Sequence, residues 1–176
     1  MEPLIALVAV TLALLAAGAA GVSRFRPWPV ALRGGLAAMF TLTGMAHFVG
    51  LRAELVAMVP PSLPNPGLLV TLTGLLELAG AAGLLIRRTA PWAAGCLSAL
   101  LILMFPANVY AAVEGLSTGP FEALLPRTLL QVVFLSATLA VVISSVRGRA
   151  TESPSAAHSL AAPDVALPPA PHPRSR

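Results

Sequence analysis

Five polar side chains stand inside stretches that are otherwise built from leucine, alanine, valine and glycine. They are His47, Glu77, Asn108, Arg127 and Gln131. Ionisable groups in such apolar surroundings are costly to bury, usually face the interior of a helix bundle and often mark a functional site. One imidazole, one carboxyl, one guanidinium and two amides could together hydrogen-bond a polar ligand or pass a proton.

A structural role is the alternative for these residues, since polar groups in membrane bundles often hydrogen-bond one another at about 0.6 kcal/mol per contact. Glu77 lies deepest in its apolar segment and is the hardest to leave unpaired. We expect either Arg127 or His47 to be its partner, or else a protonated carboxyl. Arg33 lies near the end of a segment, where we interpret it as an anchor at the membrane interface.

The residue inventory argues against a metal or redox centre within this chain. Cys96 is the only cysteine, so it allows no internal disulfide, no CxxC pair, no zinc site and no iron–sulfur cluster, and we expect it to pack inside its apolar run. His47 is the only histidine in an apolar segment, whereas bis-histidine haem needs two. We therefore predict no metal, no catalytic residue and no cofactor, with a bound quinone left open.

The composition is that of a membrane protein. Hydrophobic residues make up 57% of the chain and charged residues 10%, whereas a soluble domain carries about a quarter charged residues. All eleven basic residues are arginine, which together with abundant alanine and leucine is typical of a bacterial genome of high GC content. The arginines flank apolar segments and form no basic face, so we predict no nucleic-acid partner.

Five segments are long enough to cross a hydrocarbon core of ~30 Å, and they predict an all-α polytopic transmembrane helix bundle. These segments are Pro3–Val22, Val30–Gly50, Gly67–Ile86, Pro91–Val113 and Leu124–Val146. Arginines follow the first, third and fifth segments, which predicts a multi-pass protein of the bacterial inner membrane with its N-terminus outside and its C-terminus in the cytoplasm. No basic region precedes the first segment, so a retained anchor is favoured over a cleaved signal peptide.

Two proline-containing stretches have mechanical consequences. Residues 51–59 form a short amphipathic element, with Arg52 and Glu54 expected toward water, and four prolines between 60 and 66 then stop it. We predict that this element is a lid over the level of His47, Asn108 and Arg127. Pro106 leaves the carbonyl of Ile102 without its usual helical donor, so that carbonyl needs another partner.

The chain divides into three parts by composition. Residues 1–29 hold the first span and its loop, and residues 30–149 hold the remaining four spans. Residues 150–176 are rich in alanine, proline and serine without periodicity, which predicts a disordered cytoplasmic tail.

Several motifs, taken in order, resemble those of the DoxX-like family of small bacterial integral membrane proteins. They are Gly44 with His47 and Phe48, "MVPPSLPNP" (58–66), "LTGLLELAGAAGLL" (72–85), "FPANVYAA" (105–112), and Arg127 with Gln131. The resemblance covers residues 32–146 and implies a four-helix membrane core, to which the first span and the tail are additions. It makes His47, Glu77, Asn108 and Arg127 candidates only, because it implies no established catalytic residues.

The resemblance implies an accessory or quinone-facing component of a membrane redox system, with a membrane or soluble oxidoreductase as partner. Two alternatives remain at this point, and neither requires an enzyme. One alternative is a small-molecule or proton-coupled carrier in which Glu77 titrates. The other is a non-enzymatic membrane interaction protein, whose partners could include further copies of this chain.

Overall fold

The computed structural model describes residues 1–116 and 124–160 and confirms the all-α fold class. A 3₁₀ turn at Ser23–Phe25 joins the first two helices of the described chain. The helices are α1 (Glu2–Ala19), α2 (Trp28–Ala46), α3 (Arg52–Ala57), α4 (Pro66–Leu85), α5 (Ala90–Val113) and α6 (Leu124–Leu160).

Proline marks the beginning of most of these helices. A proline stands in the first turn of α1, α2, α4 and α5. This position suits proline, because the first amide groups of a helix have no intrahelical acceptor and the ring sets φ near its helical value. Asn65, just before α4, adopts a left-handed conformation with φ 51°, which turns the chain from the proline-rich loop into the helix.

Four helices are long and apolar enough to cross a membrane, namely α1, α4, α5 and residues Leu124–Gly148 of α6. The second predicted span, Val30–Gly50, corresponds to α2, which has 19 residues but does not reach the same apolar average. The difference has a physical reason, because α2 is the most enclosed helix and packs against α1, α4 and α6. A helix shielded by its neighbours needs less apolar surface than one that faces lipid.

The core surrounds α2. Leu36, Met39 and Phe40 are almost fully buried there and belong to one apolar cluster with Leu84 and Leu97 from the neighbouring helices. Large apolar side chains cover much of the outer surface, with Trp92, Leu103 and Leu125 each at least 70% exposed. An apolar exterior of this kind suits a lipid environment, and it supports a membrane location for the bundle.

The structure adds two details to the predicted spans. Helix α6 continues beyond the last predicted span to Leu160, and residues 161–176 of the predicted tail lie outside the described part of the chain. Each added residue extends an existing helix at little cost, because the helix is already nucleated. Cys96 is exposed on α5 and is not packed in the interior.

Candidate functional site

A cavity of about 840 Å³ opens at the end of the bundle that holds the proline-rich loop. Four of the five predicted site residues line it: His47 from the end of α2, Glu77 from α4, Asn108 from α5 and Gln131 from α6. The remaining wall is mostly apolar and includes Met39, Phe40, Leu101, Met104 and Phe134. We call this space the polar cavity. Its lining shows that the polar residues, which are far apart in sequence, converge on one place.

Glu77 is paired with a threonine and not with a cation. Its side chain is 4% exposed, and its Oε2 accepts a hydrogen bond of 2.6 Å from the Thr43 hydroxyl. The prediction that Arg127 or His47 would be the partner is therefore wrong for the described residues. Thr43 can reach Glu77 because α2 and α4 approach closely at this point. A Cβ added at Gly44 would lie only 3.2 Å from the Glu77 Cβ.

His47 ends α2 and is 4% exposed. Its Nδ1 lies 2.9 Å from the carbonyl oxygen of Thr43, one turn earlier on the helix. Because a carbonyl only accepts hydrogen bonds, Nδ1 must carry a proton, and in a neutral ring Nε2 is then an acceptor. Gly74 of α4 packs directly against this ring, since a Cβ there would lie 2.5 Å from the Cβ of His47.

Asn108 is held by Arg127. The Nη1 of Arg127 donates a hydrogen bond of 3.0 Å to Asn108 Oδ1, and Arg127 itself does not line the polar cavity. Since the amide oxygen already accepts from the guanidinium, the amide nitrogen of Asn108 is the group available to donate toward a ligand. Arg127 thus orients Asn108 from outside the cavity. It is the one predicted site residue that is not part of the cavity lining.

Gln131 joins α6 to α5 near Pro106. Its Nε2 donates a hydrogen bond of 2.6 Å to the carbonyl oxygen of Leu101. The sequence predicted an unpaired carbonyl at Ile102, one residue further on, because proline lacks the amide hydrogen that would reach it. The carbonyl that receives a bond from another helix is therefore that of Leu101, one residue before the predicted Ile102, and its donor is Gln131 of α6.

The predicted lid is α3 with its flanking residues. Leu51 and Leu55 line the polar cavity, so this short helix forms part of its wall. The expectation that Arg52 faces water is wrong, because its guanidinium is partly buried and donates to the His47 carbonyl (3.0 Å), the Gly67 carbonyl (3.3 Å) and Thr71 Oγ1 (3.0 Å). Arg52 thereby fastens α3 to the beginning of α4.

Sequence reasoning missed Thr43 and the role of Arg52. A signal for Thr43 was present, since Thr43 and His47 are four residues apart on one helix and so lie on the same face. Arg52 gave no such signal, because its acceptors come from a segment that returns to it after the proline-rich turn.

The polar cavity suits a neutral, amphipathic ligand. Its volume falls within the ~300–1,000 Å³ of typical small-molecule sites, and it combines an apolar wall with a few convergent polar groups, as such sites do. Among the described residues, no arginine lines it, which disfavours an anionic ligand.

A family described as Domain of unknown function (DUF8561) matches residues 36–147. The matched stretch begins within α2, ends within α6 and contains His47, Glu77, Asn108 and Gln131. No curated protein and no solved structure matches the chain.

Proposed function

Because the chain belongs to the family described as Domain of unknown function (DUF8561), whose description assigns no activity, we propose its function first from the polar cavity. The protein binds a membrane-soluble small molecule with a hydrogen-bonding head group in that cavity, and a quinone is the ligand class we favour. One observation carries the proposal: His47, Glu77, Asn108 and Gln131 come from four separate elements and line one apolar space.

The hydrogen-bonding groups of the cavity match a quinone head. Quinone carbonyl oxygens only accept hydrogen bonds, whereas the hydroxyls of the reduced quinol also donate. Asn108 offers an amide donor and His47 offers an imidazole to these two forms. The apolar wall suits the ring and the beginning of an isoprenoid tail.

We propose further that the protein is an accessory or quinone-facing component of a membrane redox system. A quinone carries the electrons itself, so the chain needs only to bind and orient it, and a separate membrane or soluble oxidoreductase would exchange electrons with it. The resemblance to the DoxX-like family supplies this version of the proposal. In this view the protein is not an enzyme by itself.

Binding of a short-chain quinone to the purified protein in detergent tests the proposal. Asn108→Ala should weaken binding about fivefold, because one hydrogen bond contributes about 1 kcal/mol. Ser98→Ala is the matched control, since Ser98 is buried and hydrogen-bonded to Thr138 but does not line the polar cavity. Equal weakening by both variants, or no saturable binding to the parent protein, would contradict the proposal.

A proton-coupled carrier is the second candidate, and the burial of Glu77 favours it. The carboxyl is 4% exposed and has only Thr43 as a side-chain partner among the described residues. A buried carboxyl of this kind could take up and release a proton as a substrate moves. Glu77→Gln in proteoliposomes should then abolish proton-coupled uptake while the variant stays folded.

If Glu77→Gln and Asn108→Ala change neither uptake nor binding, the polar groups serve only to hold the helices together, as in an interaction protein.

For the orientation, we propose that the end of the bundle with the arginines at 24, 33, 87 and 88 faces the cytoplasm of a bacterial inner membrane. The positive-inside preference supports this assignment, because these four arginines lie at one end of the bundle, at or near the ends of the spans. Single cysteines placed at Ser23 and Ser62 in a Cys96→Ser background give the test. An impermeant thiol reagent added to intact cells should label position 62 and leave position 23 unlabelled, and the reverse pattern would overturn the orientation.

A further inference from the structure

A second cavity, of about 960 Å³, lies among arginines at the end of the bundle where α4 leads into α5. Arg24 comes from the 3₁₀ turn, Arg33 from α2, and Arg87 with Arg88 from the connection between α4 and α5. Helix α6 closes the remaining side with Ser144 and Ser145, near the end of its apolar stretch Leu124–Gly148. We call this space the arginine cleft. Among the described residues, the arginine cleft shares no lining residue with the polar cavity, and the proposed quinone site does not include it.

The charge in the arginine cleft is unbalanced within the described part of the chain. Four guanidinium groups border the space, and no aspartate or glutamate of the described residues lines it. Like charges that converge in one cleft repel one another, and an anion bound between them would relieve the repulsion. The Nε of Arg33 is in addition buried without a hydrogen-bond partner in the described structure. A buried donor of that kind is costly unless a ligand or water supplies the acceptor.

Arginines that only mark the cytoplasmic side of a membrane protein need not converge. Each can extend to the interface separately, since the positive-inside preference depends on charge in the loops and not on a shared cleft. Here three separate elements bring four arginines to one space that also has an apolar wall, including Val30 and Leu85. A phosphate attached to acyl chains matches both parts of this lining. Its negative charge suits the guanidinium groups, and its acyl chains suit the apolar wall.

We propose that the arginine cleft binds the phosphate of an anionic membrane lipid. The position supports a lipid over a soluble ligand, because the cleft lies at the ends of helices that are long and apolar enough to cross a membrane. Trp28 and Trp92 are 53% and 73% exposed and stand beside the lining prolines at 27, 29 and 91. Exposed tryptophans at this level are typical of the membrane–water interface.

The two tryptophans are the only ones in the chain, so the tryptophan fluorescence reports on lipid at the level of this cleft. The experiment reconstitutes the full chain in bilayers of phosphatidylcholine mixed with phosphatidylglycerol and measures fluorescence quenching when one lipid or the other carries brominated chains. The ratio of the two quenching curves gives the preference for the anionic lipid. We expect a severalfold preference for phosphatidylglycerol in the parent protein.

Arg87→Gln and Arg33→Gln should each remove most of this preference, because each takes away a charge-assisted interaction with the lipid phosphate that only a cleft residue can make. Arg26→Gln is the matched control, because Arg26 is exposed near the same end but does not line the cleft, and it should keep the parent preference. Arg87 is exposed, so its variant tests the site even if Arg33→Gln fails to fold.

Three results would overturn the proposal. A preference near one in the parent protein excludes a site for anionic lipid. An equal loss in Arg26→Gln means that the general surface charge attracts the lipid and the cleft does not. In a third arm, millimolar inorganic phosphate is added at constant ionic strength; if it removes the lipid preference completely, free phosphate is the ligand and the lipid assignment is wrong.

Discussion

The two ends of the bundle hold cavities of similar size that are built in opposite ways. In the polar cavity, about 840 Å³, the polar side chains already have partners within the protein, such as Thr43 for Glu77 and the Leu101 carbonyl for Gln131. In the arginine cleft, about 960 Å³, four guanidinium groups share the space and the Nε of Arg33 has no partner in the described structure. One end is preorganised by hydrogen bonds, and the other carries unbalanced charge.

The two ends are therefore suited to different kinds of ligand. A cavity whose polar groups are fixed by neighbours selects a ligand by shape and by a few directed hydrogen bonds, at little cost in reorganisation. A cleft with excess positive charge attracts any suitable anion over a distance, and salt weakens that attraction.

Gly74→Ala should be the most damaging small substitution near the polar cavity. The added Cβ would lie 2.5 Å from the Cβ and 2.9 Å from the Cγ of His47, so α4 would have to move away from α2. Overpacking of this kind costs about 1–3 kcal/mol, and we expect a value near the upper limit. Equilibrium unfolding in mixed detergent micelles measures the loss.

Gly95→Ala provides the control for this substitution. A Cβ at Gly95 meets nothing within 4 Å, and alanine is the better helix former, so its stability should stay equal or rise slightly. Equal destabilisation by the two variants would show that glycine flexibility matters and that the contact between α2 and α4 does not.

Glu77→Ala should destabilise the protein by about 2 kcal/mol. It leaves a small cavity and takes the carboxylate acceptor away from the Thr43 hydroxyl. Glu77→Gln keeps the size and can still hydrogen-bond Thr43, so its unfolding free energy should fall by less than about 1 kcal/mol. The same unfolding assay compares them, and equal losses would mean that the charge of Glu77, not its hydrogen bond, stabilises the fold.

Salt should separate the two ligands. Raising the ionic strength from 0.05 to 0.5 M, values chosen to shorten the Debye length severalfold, should weaken the lipid preference of the arginine cleft by about fivefold and leave quinone binding nearly constant. Tryptophan quenching reports on the first and quinone titration on the second. If both respond equally to salt, the contrast between the two ends is wrong.

Ser98→Ala should have the smallest effect. Ser98 and Thr138 form a hydrogen bond of 2.8 Å between α5 and α6, away from both cavities. Such contacts in membrane proteins contribute about 0.6 kcal/mol on average, so the unfolding free energy should fall by about that amount. A loss above about 2 kcal/mol would show that this buried pair organises the bundle as strongly as the residues of the polar cavity.

The helices were largely predictable because their boundaries are marked by proline and charge. The third predicted span, Gly67–Ile86, differs by one residue at each end from α4, Pro66–Leu85. The depth of each polar residue within its segment likewise placed His47, Glu77, Asn108 and Gln131 at one level. That level became a common cavity in the structure.

The partners of these residues could not be predicted, because segment length does not determine how each helix is rotated. Thr43 illustrates the difficulty. Thr41 and Thr73 donate to carbonyls four residues earlier on their own helices, as threonines in helices commonly do. Thr43 is 3.4 Å from the Phe40 carbonyl oxygen on its own helix, but its shorter bond, 2.6 Å, reaches across to Glu77. Nothing in the sequence distinguishes these threonines. The arginine cleft was missed for the same reason, since its arginines were interpreted as separate anchors.

The three hydrogen bonds of Arg52 have a consequence for rates. They connect the His47 carbonyl, the first turn of α4 and α3, whose Leu55 lines the polar cavity. Opening that wall would require these bonds to break, and neither Arg52 nor its acceptors on α4 line the cavity. The Arg52 guanidinium therefore limits the rate at which a ligand enters and leaves the polar cavity. Weakening its bonds should speed binding and release alike, so the residence time would shorten while the equilibrium constant stays nearly the same.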